Sequence, residues 1–395
     1  MAATEYSPKL QALLLSALAL PGLAQAAARE DDGFFVVRAS QYAEDAVPAE
    51  QLASAEDERY DIKILQARLS LPVGRSFSLG TTLAYESMSG ASPWFVEAGD
   101  DGRPVQVLSG ATIEDQRRDA AVDLRWYGGR HQLALSAGVS VEDDYRALSG
   151  GLEWLVEMPD EHSTLNFGLG YSDDRIEPTE GGSARFPTRP AQESKSSYSA
   201  VVGFTTIINA RSQWQLAVSA TRLDGFLSDP YKLASVDGAL VQDARPDSRW
   251  QLALSSRYRH RFTGLDASLH ADYRYFLDEW EVNAHTVNLA WHQDLGDYLT
   301  LTPSVRYYSQ SQAYFYQAYY RTAREDGFAS SDYRLSPYGA YTLGLSLRCE
   351  LGDAAISLAA ERYDSQAGIA AGEVRVENPG LVDFTLFSLG VEYRY

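Results

Sequence analysis

Cysteine occurs once in the 395 residues, at Cys349, which excludes an internal disulfide framework and a multi-cysteine zinc site. Lysine is scarce as well: Lys9, Lys63, Lys195 and Lys232 are the only lysines among 34 basic residues. That bias reads as a genomic preference for arginine, not as a site. Beyond the first residues no stretch offers the 18 or so unbroken apolar residues that a spanning helix needs, so a bundle of transmembrane helices is excluded. Basic charge is in deficit, 34 Lys plus Arg against 54 Asp plus Glu, and the net charge of -20 would repel a phosphate backbone, which argues against nucleic acid as a partner. There is no Gly-x-Ser-x-Gly elbow, no phosphate-cradling glycine loop and no His-Glu-x-x-His pair. The histidines, His131, His162, His260, His270, His285 and His292, are scattered, and no metal or cofactor is expected.

What the chain does have begins with an export signal. Lys9 precedes the apolar run 10–20, which Pro21-Gly22 breaks, and small residues follow at Ala24-Gln25-Ala26. This order is that of a secretory signal peptide, so residues 1–26 are expected to be removed and 27–395 to work outside the inner membrane.

After it, apolar and polar residues alternate with a period of two. In 250–262, Trp250, Leu252, Leu254, Tyr258 and Phe262 share one face, and Gln251, Ser255, Arg257, Arg259 and Arg261 the other. In 265–275, Leu265, Ala267, Leu269, Tyr273 and Tyr275 oppose Asp266, Ser268, His270, Asp272 and Arg274. Helical spacing fits neither. About sixteen such segments occur, near 34–44, 60–72, 76–88, 115–127, 131–142, 147–158, 163–173, 195–207, 213–224, 249–261, 265–277, 282–293, 298–310, 335–349, 353–363 and 384–395.

The connections alternate too. Turn formers make tight links such as Gly128-Gly129-Arg130, Thr263-Gly264 and Gly352. Long polar stretches at 89–114, 174–194, 225–248, 311–334 and 364–383 lie between them. All tight links then fall on one rim and all long ones on the other. A soluble sandwich has no reason for this asymmetry, whereas an outer-membrane barrel has short periplasmic turns and long extracellular loops. In hydrocarbon a spanning sheet must close and leave no edge. The expected fold is therefore all-β, a transmembrane antiparallel β-barrel of about sixteen strands in the cell outer membrane. Trp126, Tyr127, Trp214, Trp250, Trp291, Tyr307 and Tyr341, near strand ends, suit its interfacial girdles. The last residues, with Gly390, Tyr393 and Tyr395, resemble the terminal signal read by barrel-assembly machinery. Outer-membrane lipid, lipopolysaccharide and that machinery are the expected partners, with a periplasmic or surface protein as a further one.

Several motifs together, Tyr85 to Pro93, Leu108 to Ile113, Tyr145 to Gly151, Leu227-Ser228-Asp229-Pro230-Tyr231-Lys232, His270 to Tyr275 and Asp332-Tyr333-Arg334-Leu335-Ser336-Pro337-Tyr338, resemble the bacterial domain of unknown function 3570 family. The resemblance runs through nearly the whole mature chain and implies an exported, barrel-like protein without an assigned activity. It carries over no catalytic or ligand residue.

Alternation puts Arg68, Arg125, Arg257, Arg259, Arg261, Arg274, Arg306, Arg348 and Arg394 inside, with Glu86, Asp123, Glu153, Glu157, Asp266, Asp272, Glu361 and Glu392. Of these Arg125, Asp123, Arg257, Arg259, Arg261, Asp272, Arg274, Arg306 and Arg348 are the pore-lining candidates. Opposed arginines and carboxylates would orient a charged or dipolar solute; the plain alternative is inner-wall salt bridges that stiffen the barrel. Only about seven residues, 27–33, precede the first strand, too few for a plug domain, but 89–114 or 311–334 could fold inward. The aromatic run Tyr308, Tyr314, Phe315, Tyr316, Tyr319 and Tyr320 reads as outer girdle under an extended hairpin; the alternative is an entry path that stacks on sugar or heterocycle faces. The expected function is a channel or transport component for a small solute. The alternatives are a structural or docking barrel whose extracellular loops bind a partner, and a barrel hydrolase using His270 and Asp272.

Overall fold

The structure, a computed structural model, describes residues 32–53, 57–91, 93–109 and 113–395; the expected leader, 1–26, lies outside them. Sixteen strands close into one antiparallel barrel. They are β1 (Phe34–Glu44), β2 (Asp61–Val73), β3 (Phe77–Gly90), β6 (Ile113–Gly128), β7 (His131–Val141), β8 (Tyr145–Glu157), β9 (Ser163–Ile176), β10 (Glu193–Asn209), β11 (Ser212–Gly225), β14 (Ser248–Phe262), β15 (Ala267–Asp278), β16 (Asn283–Leu295), β17 (Leu299–Gln310), β18 (Tyr338–Leu351), β19 (Ala354–Gln366) and β20 (Phe384–Arg394). The seam is the β1–β20 ladder, with Phe34 opposite Arg394 and Glu44 opposite Phe384, so no strand edge is left bare.

Register turns the sequence alternation into two surfaces. Leu79, Leu124, Leu135, Leu152 and Leu169 follow one another across β3, β6, β7, β8 and β9 in a single outward row. These side chains stay open: Leu169 and Leu343 are each 61% exposed and Phe387 59%. Covering one such side chain with apolar matter is worth about 1.5–3 kcal/mol, so a belt of them demands hydrocarbon around it. Trp126 and Trp214 rim the belt at the tight-turn end and Trp250 and Tyr341 at the other, all facing outward. Tyr127 does not join them, contrary to the girdle expectation. It follows Trp126 by one residue, so it faces inward, where its hydroxyl lies 3.1 Å from Ser78 Oγ. At the tight turns Gly129 and Gly352 have φ of +59° and +67°, a region that favours glycine.

The loop rim holds structure that the sequence reading treated as loop. β4 (Pro93–Ala98) pairs with β5 (Pro104–Leu108), and β12 (Leu233–Val236) with β13 (Ala239–Gln242). Asp237 and Gly238, with φ of +51° and +74°, supply the turn of the second hairpin. Sixteen strands at usual spacing and tilt give a cylinder about 30 Å across, yet the connections meet over its mouth. Lys232 Nζ, between β11 and β14, donates to the Pro93 carbonyl, between β3 and β6, at 2.8 Å. Those strand pairs stand six places apart in the ring, close to opposite. Tyr319 donates to the Gly102 carbonyl at 2.9 Å and Asn378 Nδ2 to the Tyr316 hydroxyl at 2.8 Å, which ties in the β17–β18 and β19–β20 connections.

Here the aromatic run is corrected. Phe315 and Tyr316 are buried with Trp280, Val282, Ala313 and Leu335, and Tyr320 with Ala234 and Ala329. They form the apolar core of a cap, while Tyr314 remains exposed. The girdle reading failed because the run has no period-two pattern above residue 310 and its burial comes from distant connections.

Candidate functional site

Every pore-lining candidate faces inward, but the structure divides them into two sets. On the β2–β8 side the charges are paired: Arg68 with Asp123 at 3.7 Å and Arg125 with Glu153 at 3.7 Å. Small residues make room for this. A Cβ on Gly80 would overlap the Asp123 carboxylate, and Ala134 lies between Arg125 and Glu153 in the register. On β18 and β20, Arg348 meets Glu350 at 2.7 Å and Glu392 at 3.0 Å. These are the wall-stiffening pairs of the plain alternative.

The β14–β17 wall differs. Arginines descend it from the mouth toward the turn rim. Those at the ends have partners: Arg249 with Asp278, Arg259 with Asp272, and Arg261 with Asp294 at 2.6 Å. Arg257, Arg274 and Arg306, between them, form no ion pair among the described residues; Arg257 reaches only Gln215 Oε1 at 3.4 Å, and Arg274 lies 5.1 Å from the Phe276 ring. Arg274 and Arg306 are both exposed to the bore. The sequence reading named these arginines but missed Thr286 and Asn288, which sit between them on β16. Their signal was the same alternation, against Val287 and Leu289.

The cap is held by buried charge. Arg334 bonds Asp229 at 2.9 Å and also Asp332, and Arg245 bonds Asp243 at 2.7 Å and Asp332 at 2.9 Å. Burial alone would raise the Asp332 carboxyl, but Arg334, with Lys232 and Arg245, outweighs it and holds the group well below the usual carboxylate range. On the short β7–β8 connection the balance is reversed. Burial lifts Glu142 to about 8 and Asp144 to about 7, although Tyr231 donates to Asp144 from the far connection. The motifs Leu227 to Lys232 and Asp332 to Tyr338 thus converge in the cap, a role no local pattern announced.

The hydrolase constellation is not assembled. Asp272 is held by Arg259, and the His270 ring lies 4.0 Å from that of His292. His260 Nδ1 lies 2.8 Å from Ser212 Oγ, but Ser212 is buried and Tyr258 shares the contact at 3.3 Å. Among the described residues no three His, Cys, Asp or Glu side chains are grouped to hold a metal. At the seam, Gly390 leaves room for Ser357 Oγ, Tyr393 and Tyr395 face outward with rings 6.3 Å apart, and Tyr395 exchanges backbone hydrogen bonds with Gly33 at 3.0 Å.

A closed sixteen-stranded cylinder, apolar outside and charged within, is an outer-membrane type of β-barrel. The chain belongs to the family described as Protein of unknown function (DUF3570), whose model matches residues 10–376. No curated protein matches it. Among solved structures it is similar to CdiB from Acinetobacter baumannii, at 8% identity and a TM-score of 0.51, over 91% of this chain and 60% of that one. It is also similar to a bacterial polysaccharide outer membrane secretin (11%, 0.49, 92% and 98%) and to the outer membrane protein opdK from Pseudomonas aeruginosa (9%, 0.40, 92% and 98%). At such identities the likeness is one of fold alone.

Proposed function

We propose that this protein is an outer-membrane channel that passes a small solute, with its long loops, on the extracellular side, acting as the gate. The observation that carries the reading is the unequal inner wall. Salt bridges that only stiffen a barrel would be paired throughout, as on β2–β8. Arg274 and Arg306 instead hold unneutralised charge against water, with Arg257 half-buried beside them, as the lining of a selective path does. Export by a cleaved leader at 1–26, assembly through Gly390, Tyr393 and Tyr395, and lipopolysaccharide around the loop rim complete the proposal. Single-channel recording of the purified protein tests it: discrete conductance steps are expected, with brief openings while the cap is intact. A second reading, a docking barrel that offers its loops to a surface partner, is favoured by the ion pairs that knit the cap. Absence of conductance even after those pairs are broken would establish the second reading over the first.

A further inference from the structure

We infer that the β15–β17 wall holds a binding site for a small dianion, a dicarboxylate or a phosphate, between Arg274 and Arg306. This rests on the channel reading and names the class of solute.

The register builds the site. Arg274, Thr286 and Tyr308 form one row across the three strands, and Asp272, Asn288 and Arg306 form the next. The two guanidinium groups therefore rise from strands two spacings apart, about 10 Å, offset by one row of about 7 Å. Two arginine side chains can reach across that gap to one small ligand. Thr286 and Asn288 line the floor between them, and neither side chain has a hydrogen-bond partner among the described residues. The Tyr308 hydroxyl is turned away, donating to Gln310 at 2.6 Å, so its ring stands as the upper wall. The carboxylate in the row of Arg306, Asp272, is taken by Arg259, and Glu361, two strands away across Gly344, forms no ion pair with Arg306.

An arginine fork binds a carboxylate or phosphate through parallel N–H donors, and such charge-assisted bonds are about twice as strong as neutral ones. Two forks flanking a hydroxyl and an amide match a ligand with two negative charges better than chloride. Open to water, the site would bind weakly enough to release, which passage requires.

Calorimetric titration of the detergent-solubilised full chain at low salt, with succinate and with inorganic phosphate, is the direct test. Binding is expected with at least one probe, weakened about tenfold in Arg274→Gln or in Arg306→Gln and abolished in the double variant. Which probe binds separates a dicarboxylate site from a phosphate site. Arg38→Gln, on β1 away from the patch, should bind as the unchanged protein does. If neither probe binds, or the double variant binds equally well, the site is disproved. Bilayer recording of the same proteins keeps the two claims apart. Binding without conductance retains the site and removes passage; conductance without binding does the opposite.

Discussion

Arg334 and Asp229 are 105 residues apart in the chain and 2.9 Å apart in space. One sits on the β17–β18 connection and the other on the β11–β14 connection, so the bond is a strut across the mouth of the barrel. Asp332 shares the Arg334 guanidinium, and its carboxylate is fully buried.

Arg334→Met should therefore loosen the cap without opening the cylinder. Removing one member of a buried pair leaves its partner charged and dry, at a loss of about 3–5 kcal/mol. Limited proteolysis should cut within 226–247 and 311–337, while the unheated protein keeps its folded mobility on a gel. Mean conductance should rise. Loss of folded mobility would mean that the cap supports the barrel itself.

The cap should also respond to pH. Asp144, lifted by burial to about 7, keeps its proton in the folded protein over a range where the unfolded chain has lost it. Proton binding by the folded state in excess means that stability is full below the ordinary carboxylate range and falls as pH rises through about 7. Glu142 acts in the same direction up to about 8. Hydrogen exchange of 142–147 and 226–232, corrected for its intrinsic pH dependence, should show firmer protection at pH 5 than at pH 8.5. Asp144→Asn, which accepts from Tyr231 without charge, should flatten the difference.

The contrast between barrel and cap explains what the sequence could disclose. Leu124, Leu135 and Leu152 sit beside Asp123, Ser136 and Glu153 because lipid and water lie on opposite sides of one sheet. That constraint acts on every second residue and is visible locally, so strand positions emerged within a few residues of the observed ones. Arg334–Asp229 and Lys232–Pro93 obey no period. Their partners are set by which loops meet over the bore, which depends on closure of the whole ring. The β12–β13 hairpin lies between: Asp237-Gly238 within apolar residues was a legible turn signal, overlooked because the surrounding stretch read as polar. Within the bore, alternation showed which arginines face inward but not which have partners, because pairing depends on the register of neighbouring strands.

Gly80 tests how tightly the inner wall is packed. It faces the Asp123 carboxylate, which reaches over it toward Arg68. Gly80→Val would displace that carboxylate and break the 3.7 Å pair, leaving Arg68 and Asp123 both unpaired in the bore. Crowding of this kind costs about 1–3 kcal/mol. The heat-dependent gel shift should move to lower temperature, while the reversal potential in a salt gradient should hold, because no charge is gained or lost in the bore. An unchanged melting temperature would mean that the wall yields around the added methyl groups and is not tightly packed there.

The placement of the whole surface in lipid can be tested with neighbouring residues of one strand. Leu135 and Ser136 occupy the middle of β7, the first 54% exposed on the outer face and the second facing the bore opposite Asp123. An arginine on the lipid face near the midplane costs about 2–4 kcal/mol, because the guanidinium must shed water or drag it inward. An arginine on the inner face keeps its water and gains Asp123 as a neighbour. Leu135→Arg should therefore lower the unfolding free energy in lipid vesicles by that amount, and Ser136→Arg should leave it within about 1 kcal/mol. In a soluble barrel the order would reverse, since exchanging an exposed leucine for arginine would relieve apolar surface while an inward arginine would crowd a packed core. The sign of the difference between two adjacent substitutions thus decides which solvent the outer face meets.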